Sequence, residues 1–367
     1  MNKKTIEYSN KGMLIFALSN TFINAVNQLN EMKENPEKKF DWSELLLSGG
    51  KGALLGGVGG AFLGGIIDSN NAKKERLNTN VILSTIVSNI RLDKDNPIYK
   101  KLSIKANRII DDLEINFKNR LGGKPIKIGS TEDGTSLSDS FDIDIAVPFN
   151  SKSFKSTSDM YNSVYEYFEK YYSDKDFVKI REQKKSIGLI YRIDGEYYKI
   201  DIVPYKLSNT INNKTAGYLY VNNNSFFKDD SYTKTDIISL KSINLTPIQQ
   251  KILIALKNWK KEYSIPISSH LLKILIIDAF EFNKENIPRG LTEKLIMVIT
   301  YIGNNIMYKR VISVENTNNV LTDFAESDKI RIKKECEKIL EDFEYQPNSI
   351  LEYFGFEYVS ENLKYEK

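Results

Sequence analysis

The stretch KIGSTEDGTSLSDSFDIDIAVPF, residues 127–149, decides how this chain folds. Its second half is an apolar run interrupted at every other position by Asp142 and Asp144. On a β-strand, residues i and i+2 share a face and lie about 6.5–7 Å apart, so the two carboxylates stand together while Ile143 and Ile145 occupy the opposite side. An apolar strand carries two anions on one face only where solvent or a counter-charge meets them. Downstream, KIDIVPY (199–205) places a third carboxylate, Asp201, in a similar strand. If these two strands pair, three carboxylates converge on one point. Just upstream, Gly129-Ser130 closes an apolar run and Gly134-Thr135 follows. Glycine at a strand end lets backbone approach a phosphate closely, and Ser130 adds a hydroxyl donor.

The surrounding pattern is mixed. KPIKIGS, FDIDIAVPF, SIGLIYRI and YYKIDIVPY are rich in Ile, Val and Tyr and bounded by Gly, Asp, Ser or Pro, which predicts strands. DMYNSVYEYFEKYY, between the second and third, predicts an amphipathic helix. Ahead of them a helical pattern runs from Asn78 to Ile90 and resumes from Ile98 to Arg120, broken at Asn96-Pro97. From Thr246 onward the chain reads as helical. Thr246-Pro247 is a good helix start, Ser268-Ser269 opens HLLKILIIDAFEF, and Leu291 to Lys309 and Ser327 to Phe343 follow.

Before Asn78 the character changes. A helix is expected from Lys11 to Met32, then SGGKGALLGGVGGAFLGGIID, in which Gly52, Gly56, Gly60 and Gly64 recur every fourth residue. A helix there would present them on one face for close packing. Glycine costs a helix about 1 kcal/mol relative to alanine, so the segment needs a partner. Its uninterrupted apolar part, Ala53 to Ile67, is shorter than the ~20 residues of a membrane span, so membrane contact is disfavoured against packing on protein. The expected organisation is an appendage (1–77), an α+β core (78–245) and a helical subdomain with a tail (246–367).

Composition narrows the chemistry. Among 367 residues there is one cysteine, Cys336, and one histidine, His270, which excludes a disulfide framework and makes a zinc site or a Ser–His–Asp hydrolase improbable. Metal chemistry must then run on carboxylates, which suits Mg²⁺, with Mn²⁺ as the alternative. Two such ions ~3.5–4 Å apart can activate a hydroxyl and stabilise a leaving pyrophosphate. Lys+Arg 52 against Asp+Glu 48 leaves +4, too balanced for stable binding to duplex DNA, although a local basic groove for nucleotide phosphates fits. MNKKTIEYSN lacks the apolar core of a secretory signal, so a cytoplasmic location is expected. His270 reads as a packing or capping residue and Cys336 as a packing residue. Lys257, Lys260 and Lys261 can line a nucleotide cleft or a solvated helix face, and Lys184 and Lys185 can reach a triphosphate or sit as hairpin charges.

Taken together, GSTEDGT, DID and IDIVPY resemble the DNA polymerase β-like nucleotidyltransferases, and within them the CD-NTases, the cGAS-like bacterial immune enzymes. LTPIQQKILIALKNWKKEYSIPISSHLLKILI (245–276) looks like their spine helix, and VENTNNVL (314–321) resembles their "DP…NN" segment without the Asp-Pro. The resemblance covers about Asn78 to Glu344. It implies a polymerase β-like sheet followed by a helical subdomain, with Asp142, Asp144 and Asp201 as metal ligands and Gly129 and Ser130 as triphosphate contacts. It further implies attack of a hydroxyl on the α-phosphate of a nucleoside triphosphate, with Asp201 helping to deprotonate the attacker. The product would be a nucleotide signal for anti-phage defence, sensed by an effector protein encoded nearby. Resemblance to the Hailong enzymes implies a linear product primed from Tyr365 near the C-terminus, whereas a CBASS-type enzyme would make a cyclic one. Modification of tRNA or protein, and an inactive nucleotide-binding protein, are the remaining readings.

Overall fold

The computed structural model describes residues 69–209, 216–222, 231–237, 244–312, 321 and 324–354, with side chains from Thr79 onward. The helix expected at Lys11–Met32, the glycine-rich run, most of VENTNNVL and Tyr365 lie outside the described residues. The chain divides into two units: Thr85–Glu341, and a smaller one made of both ends, Met1–Ser84 with Asp342–Lys367. Within the smaller unit the Thr79 hydroxyl donates to the Asn348 side-chain oxygen, and Tyr353 donates to Asp342.

Two helices precede the sheet, α1 (Ser69–Ile90) and α2 (Pro97–Asn116). Asn96-Pro97 is more than a break. Asn96 caps α2 by accepting from the N–H groups of Ile98 and Tyr99 at 2.9 and 3.1 Å, and Pro97 takes the first helical position. Leu102, Ala106, Ile109 and Leu113 are fully buried along one side of α2, at the helical period.

The sheet contains β1 (Ile126–Ile128), β2 (Asp142–Phe149), β3 (Phe177–Glu182), β4 (Ile187–Ile193), β5 (Glu196–Leu207), β6 (Ala216–Val221) and β7 (Ser231–Asp236). A helix, α3 (Thr157–Lys170), lies between β2 and β3 in sequence. The order is β1-β2-β5-β4-β3, with β6 joined to β5 and β7 to β6. All pairs are antiparallel except β2 with β5. The long β5 pairs with β2 on one side. On the other it pairs first with β4 and then, through its last residues, with β6.

Alternation then sorts the two faces. Ile143, Ile145 and Val147 of β2, with Ile200 and Ile202 of β5, join α2 and α3 residues in the main core. The intervening positions, Asp142, Asp144 and Ala146 on β2 with Lys199, Asp201 and Val203 on β5, occupy the other face. There Ala146 and Val203 continue into a smaller cluster with Tyr205, Leu219 and Ile237.

Further helices complete the described fold: α4 (Pro247–Glu262), α5 (Ser269–Phe282), α6 (Leu291–Asn305), α7 (Glu326–Tyr345) and a single turn, α8 (Ile350–Tyr353). A capping box between Thr246 and Gln249 starts α4, and the Ser268 hydroxyl caps α5. The α6 helix ends at Asn305, short of the expected Lys309, where Gly303-Asn304-Asn305 weakens helical propensity. Cys336 is buried on α7, its thiol pushed up to about 12 by burial, and a Cβ on Gly303 of α6 would lie 3.2 Å from its Cβ.

One buried ion pair ties α2 to the loop before β3. Lys105 meets Asp174, both only 7% exposed, and also Asp176 at 2.8 Å. Removing one partner of a buried pair leaves the other charge uncompensated. Lys105→Ala should therefore cost about 3–5 kcal/mol in chemical denaturation. Lys101→Ala, which breaks a half-exposed pair with Asp194, should cost ~1 kcal/mol or less. Equal losses would contradict this assignment of the anchor.

Candidate active site

Parallel pairing of β2 with β5 sets Asp144 directly opposite Asp201 and Asp142 opposite Lys199. The carboxylates of Asp142, Asp144 and Asp201 bring ligand oxygens within 4.8 Å of one another, a donor set that can hold a metal ion. Asp201 is 5% exposed. Its Oδ1 accepts from the Gln183 amide at 2.9 Å, while its Oδ2 meets Lys199 Nζ at 2.8 Å. Lys199 also reaches Asp142 Oδ2 at 3.1 Å. Gly188 stands opposite Asp201 on β4, and a Cβ there would come within 2.5 Å of the Gln183 amide. Its missing side chain leaves room for the bond that orients Asp201.

The electrostatics follow from burial and crowding. Asp144 has its pKa raised to about 7, first by burial and then by the charges of Asp142 and Asp201, with Lys199 and Lys257 opposing. Burial also raises Asp201, more than Lys199 lowers it. Burial pulls Lys199 down, but the two carboxylates outweigh it and hold the ammonium above its usual range. Oxygen-only ligands, a surplus of negative charge and a partly open face match the hard-cation pattern.

Beside the carboxylates lies the Gly129–Thr135 loop. Gly129 has φ +83°, and a Cβ on it would sit 2.2 Å from Asp144 Oδ2. The backbone conformation favours glycine, and a Cβ here would push the Asp144 carboxylate out of its place. The loop is closed by Asp133 N–H donating to the Gly129 carbonyl and Thr135 N–H to the Ser130 carbonyl. The Ser130 and Ser136 hydroxyls are 2.6 Å apart.

Helices α4 and α5 reach this loop with lysines. Lys257 Nζ donates to the Thr135 carbonyl at 2.9 Å, Lys273 pairs with Asp133 at 2.8 Å, and Lys261 pairs with Asp139. Burial, helped by Lys260, lowers Lys257 to about 8 against the pull of Asp142, Asp144 and Asp133. Between loop and helices is a cavity of about 210 Å³ lined by Gly129, Ser130, Thr135, Lys257, His270 and Lys273, among others.

The sequence-predicted residues therefore meet: the carboxylates at one face, with Gly129 touching Asp144 and Ser130 lining the adjoining cavity. Lys184 and Lys185 are exposed in the turn between β3 and β4. His270, expected to pack or cap, lines the cavity. Sequence reasoning passed over Lys199, Gln183 and Lys273. Lys199 was legible, since it sits two positions before Asp201 and must share its face. Lys273 lies one helical turn after Ser269, another lining residue, which is also a readable spacing.

No protein-family model matches the chain, and no curated protein does. Solved structures do. E. coli MS115-1 CdnC with ATP is 17% identical, covering 75% of this chain and 96% of that one at TM-score 0.58. The Bradyrhizobium diazoefficiens CD-NTase CdnG, in complex with GTP, is 14% identical and covers 78% of this chain and 98% of its own at TM-score 0.60. The fold is that of the CD-NTases. A second structure of E. coli CdnC, in complex with HORMA-deltaN, aligns over 77% of this chain at TM-score 0.58. Among the described residues no helix is long and apolar enough to cross a membrane.

Two consequences are measurable. Gly129→Ala adds both positive-φ strain and a clash with Asp144, whereas Gly195→Ala, at φ +93° with nothing within 4 Å, adds strain alone. Strain of this kind costs about 1–2 kcal/mol, so denaturation should show Gly129→Ala the more destabilised by at least ~1 kcal/mol. Equal losses would remove the clash. The second concerns Asp144, whose raised pKa makes its charged form unfavourable in the fold. The penalty is absent below the unfolded value of 3.8, grows as pH rises towards about 7, and is constant above. In EDTA, Asp144→Asn should melt above the parent at about pH 8, the gap closing by about pH 4. A gap independent of pH would contradict the crowding.

Proposed function

We propose that this chain is a metal-dependent nucleotidyltransferase that joins nucleotides taken from nucleoside triphosphates. The observation that carries the reading is the triad of Asp142, Asp144 and Asp201 beside a cavity walled by Gly129, Ser130, Lys257 and Lys273. It is supported by the fold shared with CdnC and CdnG, which were solved with ATP and GTP. The three carboxylates would hold Mg²⁺ or Mn²⁺, which when bound supplies positive charge against the triphosphate and acidifies a nearby hydroxyl. Ser130 donates to the phosphates from the loop. Lys257 and Lys273, lining the cavity, would offer ammonium groups for charge-assisted bonds to them. Asp201, buried and bonded to Gln183, would take the proton of the attacking hydroxyl. That oxygen bonds to the α-phosphorus, the bridge to the β-phosphate breaks, and pyrophosphate leaves with the electron pair.

The product we infer is an oligonucleotide signal in anti-phage defence, read by an effector encoded nearby. Two routes separate by mass. A linear chain primed on Tyr365 leaves nucleotide additions on the protein, and a cyclic product leaves none.

Purified protein incubated with each labelled NTP and dNTP, with Mg²⁺ or Mn²⁺, should release pyrophosphate and build an oligonucleotide. Asp142→Ala, Asp144→Ala or EDTA should abolish it. Ser130→Ala, which removes one hydrogen bond to a charged group worth about 1.5–3 kcal/mol, should slow it about 10- to 150-fold. Intact-mass spectra showing a ladder that Tyr365→Phe erases support priming, and free cyclic product with unmodified protein rejects it. Parental turnover in either Asp variant would end the metal assignment.

A further inference from the structure

We propose that Lys199 is the resident counter-ion of the carboxylate centre. It holds Asp142 and Asp201 together while no divalent ion is bound, and it competes with that ion for the same oxygens. The proposal rests on the metal-site reading above and adds a positioning residue to it.

The placement is fixed by backbone. Lys199 pairs with Asp142 across the β2–β5 ladder and precedes Asp201 by two residues, so all three side chains leave the same face. Its Nζ lies 3.1 Å from Asp142 Oδ2 and 2.8 Å from Asp201 Oδ2, bridging two strands with one atom. Asp201 is nearly buried, and its second oxygen is already taken by Gln183. Without a cation, the three carboxylates would face one another within 4.8 Å in partial burial, and each pair would repel. Lys257 adds positive charge nearby, but the ion pairs to Asp142 and Asp201 are both made by Lys199.

Competition follows from the atoms involved. A magnesium-sized ion shared by these carboxylates would take oxygens at about 2.0–2.1 Å. A dication on those oxygens would repel the ammonium now 2.8 and 3.1 Å from them, so the two cations compete. Lysine suits an exchange of this kind: it is a compact charge on a flexible four-carbon stem. At 31% side-chain exposure, Lys199 has a path to water. When the divalent ion arrives the ammonium withdraws, and when it leaves the ammonium restores the geometry.

The test uses the full chain, stripped of metal and titrated with Mn²⁺ alone, reading free Mn²⁺ by electron paramagnetic resonance alongside thermal melting. Lys199→Met should bind Mn²⁺ about tenfold more tightly than the parent, and should melt lower without metal and recover with it. Lys199→Arg keeps the charge and grips carboxylates through a fork, so it should bind Mn²⁺ more weakly than the parent. If Lys199→Met folds only in Mn²⁺, the counter-ion role is supported. If it folds in neither condition, Lys199→Arg decides, with unchanged or tighter binding overturning the proposal. Unchanged or weaker binding by a folded Lys199→Met overturns it too, while leaving the metal site intact. A parent protein that binds no Mn²⁺ removes the metal reading itself, and the proposal with it.

Discussion

The structure turns on one pairing, the parallel ladder in which Asp144 faces Asp201. Neither residue is next to the other in sequence, and the intervening chain contributes α3, β3 and β4 before β5 returns to lie against β2. Once that register is set, alternation decides the rest. Isoleucines and valine sink into the main core, and Asp142, Asp144, Lys199 and Asp201 emerge together on the other face. A slip of one residue would bury the acids and expose the isoleucines, so the hydrophobic core enforces the geometry of the site. Stability and chemistry share a single constraint.

The loop carrying Gly129 and Ser130 is fixed from two directions. Below it, Gly129 lies against Asp144, and any side chain there would displace the carboxylate. Across the cavity, Lys257 and Lys261 of α4 and Lys273 of α5 hold it at Thr135, Asp139 and Asp133. Exposed pairs such as Lys261 with Asp139 contribute little energy. The Lys273 to Asp133 pair is more enclosed, with the lysine side chain 12% exposed, and both residues line the cavity. Lys257 and Lys273, bonded to the loop, also line the cavity, so the same side chains that order the loop face the space open to a ligand.

Much of this was legible before any coordinates. A period of two made the carboxylate face of β2 readable, and the apolar flanks of Asp201 marked a second strand of the same kind. The glycines flagged the loop, and Thr246-Pro247 and Ser268 gave the starts of α4 and α5 where the caps are found. What was missed has physical causes. β3 (FVKIRE) lies at the end of the strand order, with Val178, Lys179, Arg181 and Glu182 exposed and only Phe177 and Ile180 half-buried, so its hydrophobic signal is weak. β7 (SYTKTD) is still more polar. His270 and Lys273 gain meaning only once α5 is known to wall the cavity, and that depends on contacts distant in sequence. Strand order across a crossover cannot be read from local pattern, and so the meeting of Lys199 with Asp142 escaped notice although its place beside Asp201 was implied.

The central claim is that Asp142, Asp144 and Asp201 form one divalent-ion site at a triphosphate cavity. It is tested most directly by a crystal structure with Mn²⁺ and a non-hydrolysable nucleoside triphosphate analogue, with anomalous data to locate the metal. The account predicts an anomalous peak bonded to all three carboxylates, and phosphates against Ser130, Lys257 and Lys273. A triad without manganese, beside an analogue ordered elsewhere on the protein, would contradict it.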